Sequence, residues 1–163
     1  MQNSLLIQAI PYKDESPISF LLRTVKLNAH SSIYNLVGKK KYQSIVKASP
    51  NYHLADDVRF NLVLKALNIN SYYTCLALER SGPTNRSPRT IGEIEVPHEL
   101  FELDNIRYCP ICLKENPYFK KIWLVKPIYA CPDHSCFLVD SCPNCENPIR
   151  LKTGVHNCAN CGF

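Results

Sequence analysis

Pairs of metal-binding side chains, each separated by two residues, constrain this 163-residue chain more than any other feature. Eight of its nine cysteines follow residue 108, and seven of these eight combine with one histidine into four pairs. The pairs are Cys109 and Cys112, Cys131 and His134, Cys142 and Cys145, and Cys158 and Cys161. Two intervening residues form a tight turn that directs both donor atoms at one ion, and two such turns complete a tetrahedron around Zn²⁺. The spacing therefore predicts two zinc ions per chain.

The order of the pairs favours a sequential arrangement of the two sites. Eighteen residues separate the first pair from the second, and twelve separate the third from the fourth, which is close to the usual spacing of zinc knuckles. A cross-braced arrangement, which joins the first pair to the third and the second to the fourth, is the alternative. Cys136 is an alternative ligand to His134, and His156 is an alternative to Cys158. Otherwise we expect Cys136 and the isolated Cys75 to be small buried apolar side chains.

Both predicted zinc sites are structural. Four protein ligands close a site, whereas a catalytic zinc keeps an open position beside a general base. The histidines show neither the H-x-E nor the H-E-x-x-H arrangement of zinc enzymes, so we expect no enzymatic activity. Seven thiolates and two Zn²⁺ ions together add three negative charges, which lowers the formal charge of +5 to about +2. Net charge therefore does not predict nucleic-acid binding.

The chain is predicted to be mainly α-helical with a small zinc-binding segment at its C-terminal end. Residues 1–80 carry apolar side chains at helical spacing, and a short polar turn near 68–71 separates two helices in the manner of a helix-turn-helix. Residues 81–104 are rich in Pro, Ser and Thr, and we expect them to cross the surface as a linker. Residues 105–163 are predicted to be a tandem zinc-ribbon domain, too poor in core residues to fold without metal.

Two groups of residues in the predicted helical region, residues 1–80 (the helical half), are candidates for nucleic-acid contacts. Lys39, Lys40 and Lys41 form a basic run that either contacts phosphates or is an ordinary solvated loop. Asn70 and Tyr72 begin the second helix of the predicted pair, where a helix-turn-helix protein presents side chains to base edges. The alternative for this pair is an ordinary helical hairpin.

Two stretches of the sequence resemble the TniQ family of transposon proteins. Residues 14–32, with Asp-Glu-Ser followed by Ser-Phe-Leu-Leu-Arg and later Asn and Ser-Ser, are similar to the opening helix and turn of that family. The second stretch contains Arg107-Tyr108-Cys109-Pro110-x-Cys112, Trp123, Cys131-Pro132-x-His134 and Cys142-Pro143-x-Cys145. It resembles the zinc segment of the family in order and spacing, and the two stretches together extend over nearly the whole chain.

The resemblance implies an adaptor role in the selection of a transposition target site. TniQ proteins link a targeting device to the AAA+ ATPase of the transposon, and that device is either a DNA-binding region or an RNA-guided effector complex. The implied partners are therefore the ATPase, target DNA and an effector complex of this kind. The chain is short for a TnsD-type member, so it is either one of the compact members or a fragment, and we do not expect it to read DNA sequence by itself.

A stand-alone zinc-ribbon and helix-turn-helix DNA-binding transcriptional regulator is the alternative function.

The N-terminus has no basic region followed by a long apolar run, so we expect no signal peptide. No stretch approaches the ~18 consecutive apolar residues of a membrane span. We therefore expect a cytoplasmic protein without a membrane partner.

Overall fold

The computed structural model describes residues 7–38, 55–103, 105–149, 158 and 160–162. Within these ranges the α-helices are α1 (Pro17–Leu27), α2 (Ile33–Val37), α3 (Asp57–Ala66) and α4 (Pro110–Glu115). The strands β1 (Glu79–Arg80), β2 (Arg89–Ile91) and β3 (Ile94–Val96) form one antiparallel sheet in the order β1-β2-β3. Short 3₁₀ helices cover Ser71–Leu76, His98–Leu100 and Lys121–Leu124. None of the helices in these ranges combines the length and the apolar character that crossing a bilayer requires.

The local sequence determines where α1 and α2 begin and end. Helix α1 starts after Ser16 with Pro17 in its first turn, where the missing N–H has no partner to lose. Helix α2 starts after Ser32, whose side chain accepts a hydrogen bond from the Asn35 N–H at 3.3 Å. It ends at Gly38, whose φ of +86° suits a residue without a side chain. Residues next to each helix thus account for where α1 begins and for both ends of α2.

Helix α1 lies at the centre of the helical half. Its side chains Ile18, Phe20, Leu21, Leu22 and Val25 are buried together with residues of α2 and α3, among them Leu36, Val37, Phe60, Val63 and Leu64. The Phe20 ring meets the Phe60 ring edge to face, with centroids 6.4 Å apart. Since α1 is buried on almost every side, the residues just before it are held at a fixed place on the protein.

The second helix of the predicted helix-turn-helix is not an α-helix, so this part of the prediction is wrong. Ser71–Leu76 is a 3₁₀ helix instead. The side chain of Asn70 accepts a hydrogen bond from the Tyr72 N–H at 2.9 Å, and the Thr74 hydroxyl donates to the Ser71 carbonyl at 2.6 Å. Such local side-chain bonds compete with α-helical pairing, and aromatic and β-branched residues favour an α-helix only weakly. The described turn is therefore not followed by an α-helix of the kind that enters a DNA groove.

The three-stranded sheet corrects the expectation that residues 81–104 are a surface linker. Strands β2 and β3 lie inside this segment, with Arg89 paired to Val96 in the register of the sheet. Both residues are buried, and Val96 belongs to a second apolar cluster that also contains Leu78, Phe101 and Leu124. Turn-forming residues predict hairpin loops as readily as linkers, so composition alone could not separate the two.

A buried ion-pair network attaches the sheet to α3. Asp56, the residue before α3, accepts a hydrogen bond from the Arg59 N–H at 3.0 Å and thereby caps the helix. Its other carboxylate oxygen lies 3.3 Å from the Arg89 guanidinium and 3.2 Å from that of Arg80. Arg89 is only 2% exposed, so the Asp56 carboxylate has to compensate the buried positive charge of its guanidinium.

The region predicted to bind zinc, residues 105–163, is called the zinc half below, and it contacts the start of α1 directly. The Ser16 N–H donates to the Phe119 carbonyl at 2.8 Å, and the Phe119 N–H donates to the Ser19 hydroxyl at 2.9 Å. The Tyr12 and Tyr118 rings stack with centroids 4.1 Å apart. These contacts join the regions assigned to residues 1–80 and 105–163, while the division of the chain into two domains stays a prediction.

Candidate metal centres

The first candidate centre is assembled around the start of α4. Cys109 is the residue before this helix and its sulfur accepts a hydrogen bond from the Cys112 N–H, so both sulfur atoms lie at the same helix end. The turn that follows Cys131 brings the His134 ring to these sulfur atoms. Its Nδ1 atom lies 3.5 Å from the sulfur of Cys109, 3.3 Å from that of Cys112 and 3.6 Å from that of Cys131.

The second candidate centre consists of four cysteines. Cys142 and Cys161 have their sulfur atoms 3.7 Å apart, and those of Cys145 and Cys158 are 3.8 Å apart. Cys142 is buried, Cys145 and Cys158 are half-buried, and Cys161 is exposed. This centre is therefore closer to solvent than the first.

Both groups of donor atoms have the dimensions of a zinc tetrahedron. Zn²⁺ bonds of about 2.3 Å to sulfur and about 2.0 Å to nitrogen require sulfur atoms about 3.8 Å apart and sulfur–nitrogen distances of about 3.5 Å. Within each group the four donor atoms lie within 4.8 Å of one another. The structure thus groups the first pair with the second and the third with the fourth, and both groups could hold a metal ion.

The remaining candidate ligands occupy different positions. The sulfur of Cys136 lies 3.4 Å from that of Cys109, yet the four-donor group contains His134 and not Cys136. Cys136 is half-buried, whereas Cys75 is exposed, so the expectation of a buried Cys75 is wrong. His156 lies outside the described residues.

Burial and hydrogen bonding shift the pKa values of the thiols in opposite directions. Burial raises the pKa of Cys112 to about 12, and its contacts with the sulfur atoms of Cys131 and Cys109 act in the same direction. In the second centre the Asn147 N–H, followed by the Asn160 side chain, lowers the pKa of Cys145 to about 6. Neighbouring thiolates repel one another, so four of them ionise together only around a cation. This electrostatic pattern fits a group of ligands for a divalent metal.

The comparison with protein families decides what kind of chain carries these centres. The model of the TniQ family matches residues 6–138, which is most of the chain. The chain belongs to the TniQ family. A search of curated proteins finds no match.

Membership of the TniQ family indicates a role connected with transposition, and hence with DNA and the transposon machinery. The matched residues include α1, the sheet and the whole of the first centre, and they end before Cys142. The first centre and its contacts with α1 therefore lie within the part of the chain that resembles the family.

Lys120 connects the first centre of this TniQ chain to the start of α1. Its Nζ lies 2.6 Å from Asp133, which directly precedes His134, and 3.6 Å from Asp14. The hydrogen bond to Asp133 is the main reason why the pKa of Lys120 is raised above its usual range. The sequence alone gives no sign of these contacts, since Asp14 lies far from Lys120 along the chain.

Glu15 is the second connection that sequence reasoning missed. It is fully buried, accepts a hydrogen bond from the Ser19 hydroxyl at 2.7 Å and pairs with Arg23 at 2.6 Å. Burial raises the pKa of Glu15, and these hydrogen bonds act against that rise. Because Ser19 also binds the Phe119 N–H, Glu15 holds the hydroxyl that attaches the zinc half. The Asp-Glu-Ser stretch thus has a structural role at this contact.

Arg107 organises the loop that joins the zinc half to the sheet side of the protein. One guanidinium nitrogen donates to the carbonyls of Lys126 and Ile128, at 3.0 and 3.1 Å. The other donates to those of Trp123 and Val125, at 3.1 and 2.7 Å. A planar guanidinium is suited to several such bonds at once, whereas an ammonium group is not. The stretch Arg107-Tyr108-Cys109-Pro110 does not by itself indicate which carbonyls Arg107 contacts.

We expect Arg107→Lys to lower the free energy of unfolding by about 1–3 kcal/mol, since carbonyls in a half-buried loop lose their donors. Chemical denaturation of the zinc-loaded protein measures this loss. Arg86→Lys is the matched control, because Arg86 is exposed and should change stability by less than about 0.5 kcal/mol. Equal stability of the two variants would contradict the role given to Arg107.

The residues predicted to contact nucleic acid lie apart from the metal ligands in the sequence, and the structure does not bring Asn70 or Tyr72 into either centre. Asn70 caps the 3₁₀ helix that follows it, and the Tyr72 side chain is 76% exposed. Lys39, Lys40 and Lys41 lie outside the described residues. Nucleic-acid contact at these five positions stays a prediction.

Proposed function

We propose that this chain is an adaptor in transposition target-site selection and that two structural zinc ions shape it. It would link target DNA, or an RNA-guided effector complex, to the AAA+ ATPase of the transposon. The observation that carries this proposal is the TniQ match over residues 6–138, which includes the first metal centre and the helix that it contacts. A thiolate-rich tetrahedral group of donors favours zinc over the harder divalent cations.

The arrangement of the two halves supports a role in positioning partners. The first centre has four protein donors and so no open coordination position for a substrate. The Ser16 N–H donates to the Phe119 carbonyl, and the Ser19 hydroxyl accepts from the Phe119 N–H. Together with the ion pair between Lys120 and Asp14, these hydrogen bonds fasten the zinc half to the helical core. The surface of the zinc half and the surface of the helical half would therefore keep a fixed distance from each other. An adaptor that holds two partners in place needs such a connection.

Co-sedimentation with the cognate AAA+ ATPase tests the proposal. We expect the chain to pellet with the ATPase in the presence of ATP and DNA, and to remain in the supernatant with DNA alone at moderate salt, because its metal-loaded charge is only about +2. Tight footprinting of a DNA sequence by the chain alone would support a transcriptional regulator instead. Failure to pellet with the nucleotide-loaded ATPase would contradict the adaptor role.

Tyr72→Ala separates a DNA contact from an ATPase contact in the same assay. If the Tyr72 ring contacts DNA, its loss should weaken co-sedimentation with the ATPase and DNA about fivefold. This is the effect of losing one stacking contact of roughly 1 kcal/mol. Tyr129→Ala is the matched control, since Tyr129 is also exposed, at 68% against 76% for Tyr72, but lies in the zinc half. Equal retention of both variants would remove Tyr72 from the DNA contact.

A further inference from the structure

The two ring nitrogens of His134 face different surroundings. Nδ1 lies among the three sulfur atoms of the first centre, at 3.3 to 3.6 Å. Nε2, on the opposite side of the ring, lies 3.3 Å from the Oε1 atom of Glu115. When a metal binds Nδ1 of a neutral imidazole, the proton resides on Nε2 and needs an acceptor. The Glu115 carboxylate occupies the place of that acceptor.

Helix α4 gives Glu115 a fixed place relative to the centre. The helix begins after Cys109, carries Cys112 in its first turn and ends with Glu115. The Asn116 N–H donates to the Cys112 carbonyl at 2.8 Å, which completes the last turn around Glu115. Two sulfur ligands and the carboxylate therefore belong to one short rigid element.

Asp133, the other carboxylate close to His134, is already engaged. Its Oδ2 atom lies 2.6 Å from the Lys120 Nζ, so its charge is compensated by this ion pair. Among the described residues, the second centre consists of four cysteines, with no histidine ring whose orientation must be held. A carboxylate that orients a histidine ring is therefore useful at the first centre, whereas the four cysteines of the second centre do not require one.

We propose that Glu115 is a positioning residue that orients the His134 ring toward the metal of the first centre and thereby sets the affinity of that centre. It does so through the Nε2–H hydrogen bond and does not touch the metal. This inference rests on the zinc ions of the proposed function, and it is independent of the ATPase partner. Outer carboxylates of this kind change metal affinity by about 10–100-fold, and we expect the lower end because Glu115 is largely exposed.

Zinc titration of the full chain against a competing chelator, followed by NMR of the His134 ring, tests this inference. We expect Glu115→Ala to weaken zinc binding at the first centre about tenfold and to hasten exchange of the Nε2–H proton. Glu115→Gln should fall between, because the amide oxygen still accepts a hydrogen bond but carries no charge. Binding at the second centre should not change in either variant.

Lys114→Ala is the matched control, since Lys114 is exposed on the same helix and should leave zinc affinity unchanged. Equal zinc affinity and an unchanged Nε2–H signal in Glu115→Ala would overturn the role of Glu115, while two zinc ions in the parent protein would leave the zinc proposal intact. A loss of affinity in Lys114→Ala equal to that in Glu115→Ala would also overturn it. A parent protein that binds no metal at His134 would instead overturn the zinc proposal itself.

Discussion

Cys109→Ser should unfold the zinc half of the protein and loosen the helical half. A structural zinc contributes about 10–16 kcal/mol of apparent folding free energy, and loss of a buried sulfur ligand removes most of it. Residues 118–121, which contact Asp14, Ser16 and Ser19 at the start of α1, follow shortly after α4. We therefore expect loss of NMR dispersion after residue 105 and a lower melting temperature of the remaining helical core.

Two other cysteine variants show whether this effect belongs to the first centre. Cys142→Ser should unfold the segment around the second centre, while the hydrogen bond between Ser19 and Phe119 persists. Cys75→Ser is the matched control, because Cys75 is exposed and belongs to neither centre, and it should change stability by less than about 0.5 kcal/mol. Full dispersion of the zinc half in Cys109→Ser, or unfolding of Cys75→Ser, would contradict this account.

Asp56→Ala should lower the free energy of unfolding by about 3–5 kcal/mol. The substitution leaves the Arg89 guanidinium buried without a carboxylate, and uncompensated buried charges have costs of this size. It also removes the cap at the start of α3, which adds about 1 kcal/mol. Urea denaturation monitored by circular dichroism measures the change through the midpoint of the transition.

Asp57→Ala is the matched control for Asp56→Ala. Asp57 is the next residue, its side chain is 28% exposed, and it has one ion pair to Arg80 at 3.5 Å. Partly exposed pairs of this kind contribute about 1 kcal/mol or less. A loss in Asp56→Ala that is no larger than the loss in Asp57→Ala would contradict the structural role of the Asp56 and Arg89 pair.

The sequence predicted local features well because each depends on a few neighbouring residues. A two-residue gap brings Cys109 and Cys112 to one point whatever the rest of the fold, and the same geometry applies to Cys131 and His134. Ser32 likewise caps α2 through a hydrogen bond three residues away. Such short-range rules require no knowledge of the tertiary structure.

Predictions that depended on tertiary contacts were less successful. Apolar spacing at residues 71–78 resembles a helix, but local hydrogen bonds from Asn70 and Thr74 favour a 3₁₀ turn instead. The sheet in the supposed linker depends on Arg89 meeting Asp56, thirty-three residues earlier. The contact between Ser19 and Phe119 spans one hundred residues. No local pattern encodes partners at such separations.

Native mass spectrometry of the full chain, supported by elemental analysis, tests the central claim most directly. We expect a folded species whose mass exceeds that of the polypeptide by two zinc ions, with seven thiol protons lost on binding. Addition of a strong chelator should convert this species into a metal-free chain with the broad charge-state distribution of an unfolded zinc half. A folded chain that carries far fewer than two zinc ions, and keeps its structure in chelator, would contradict the claim.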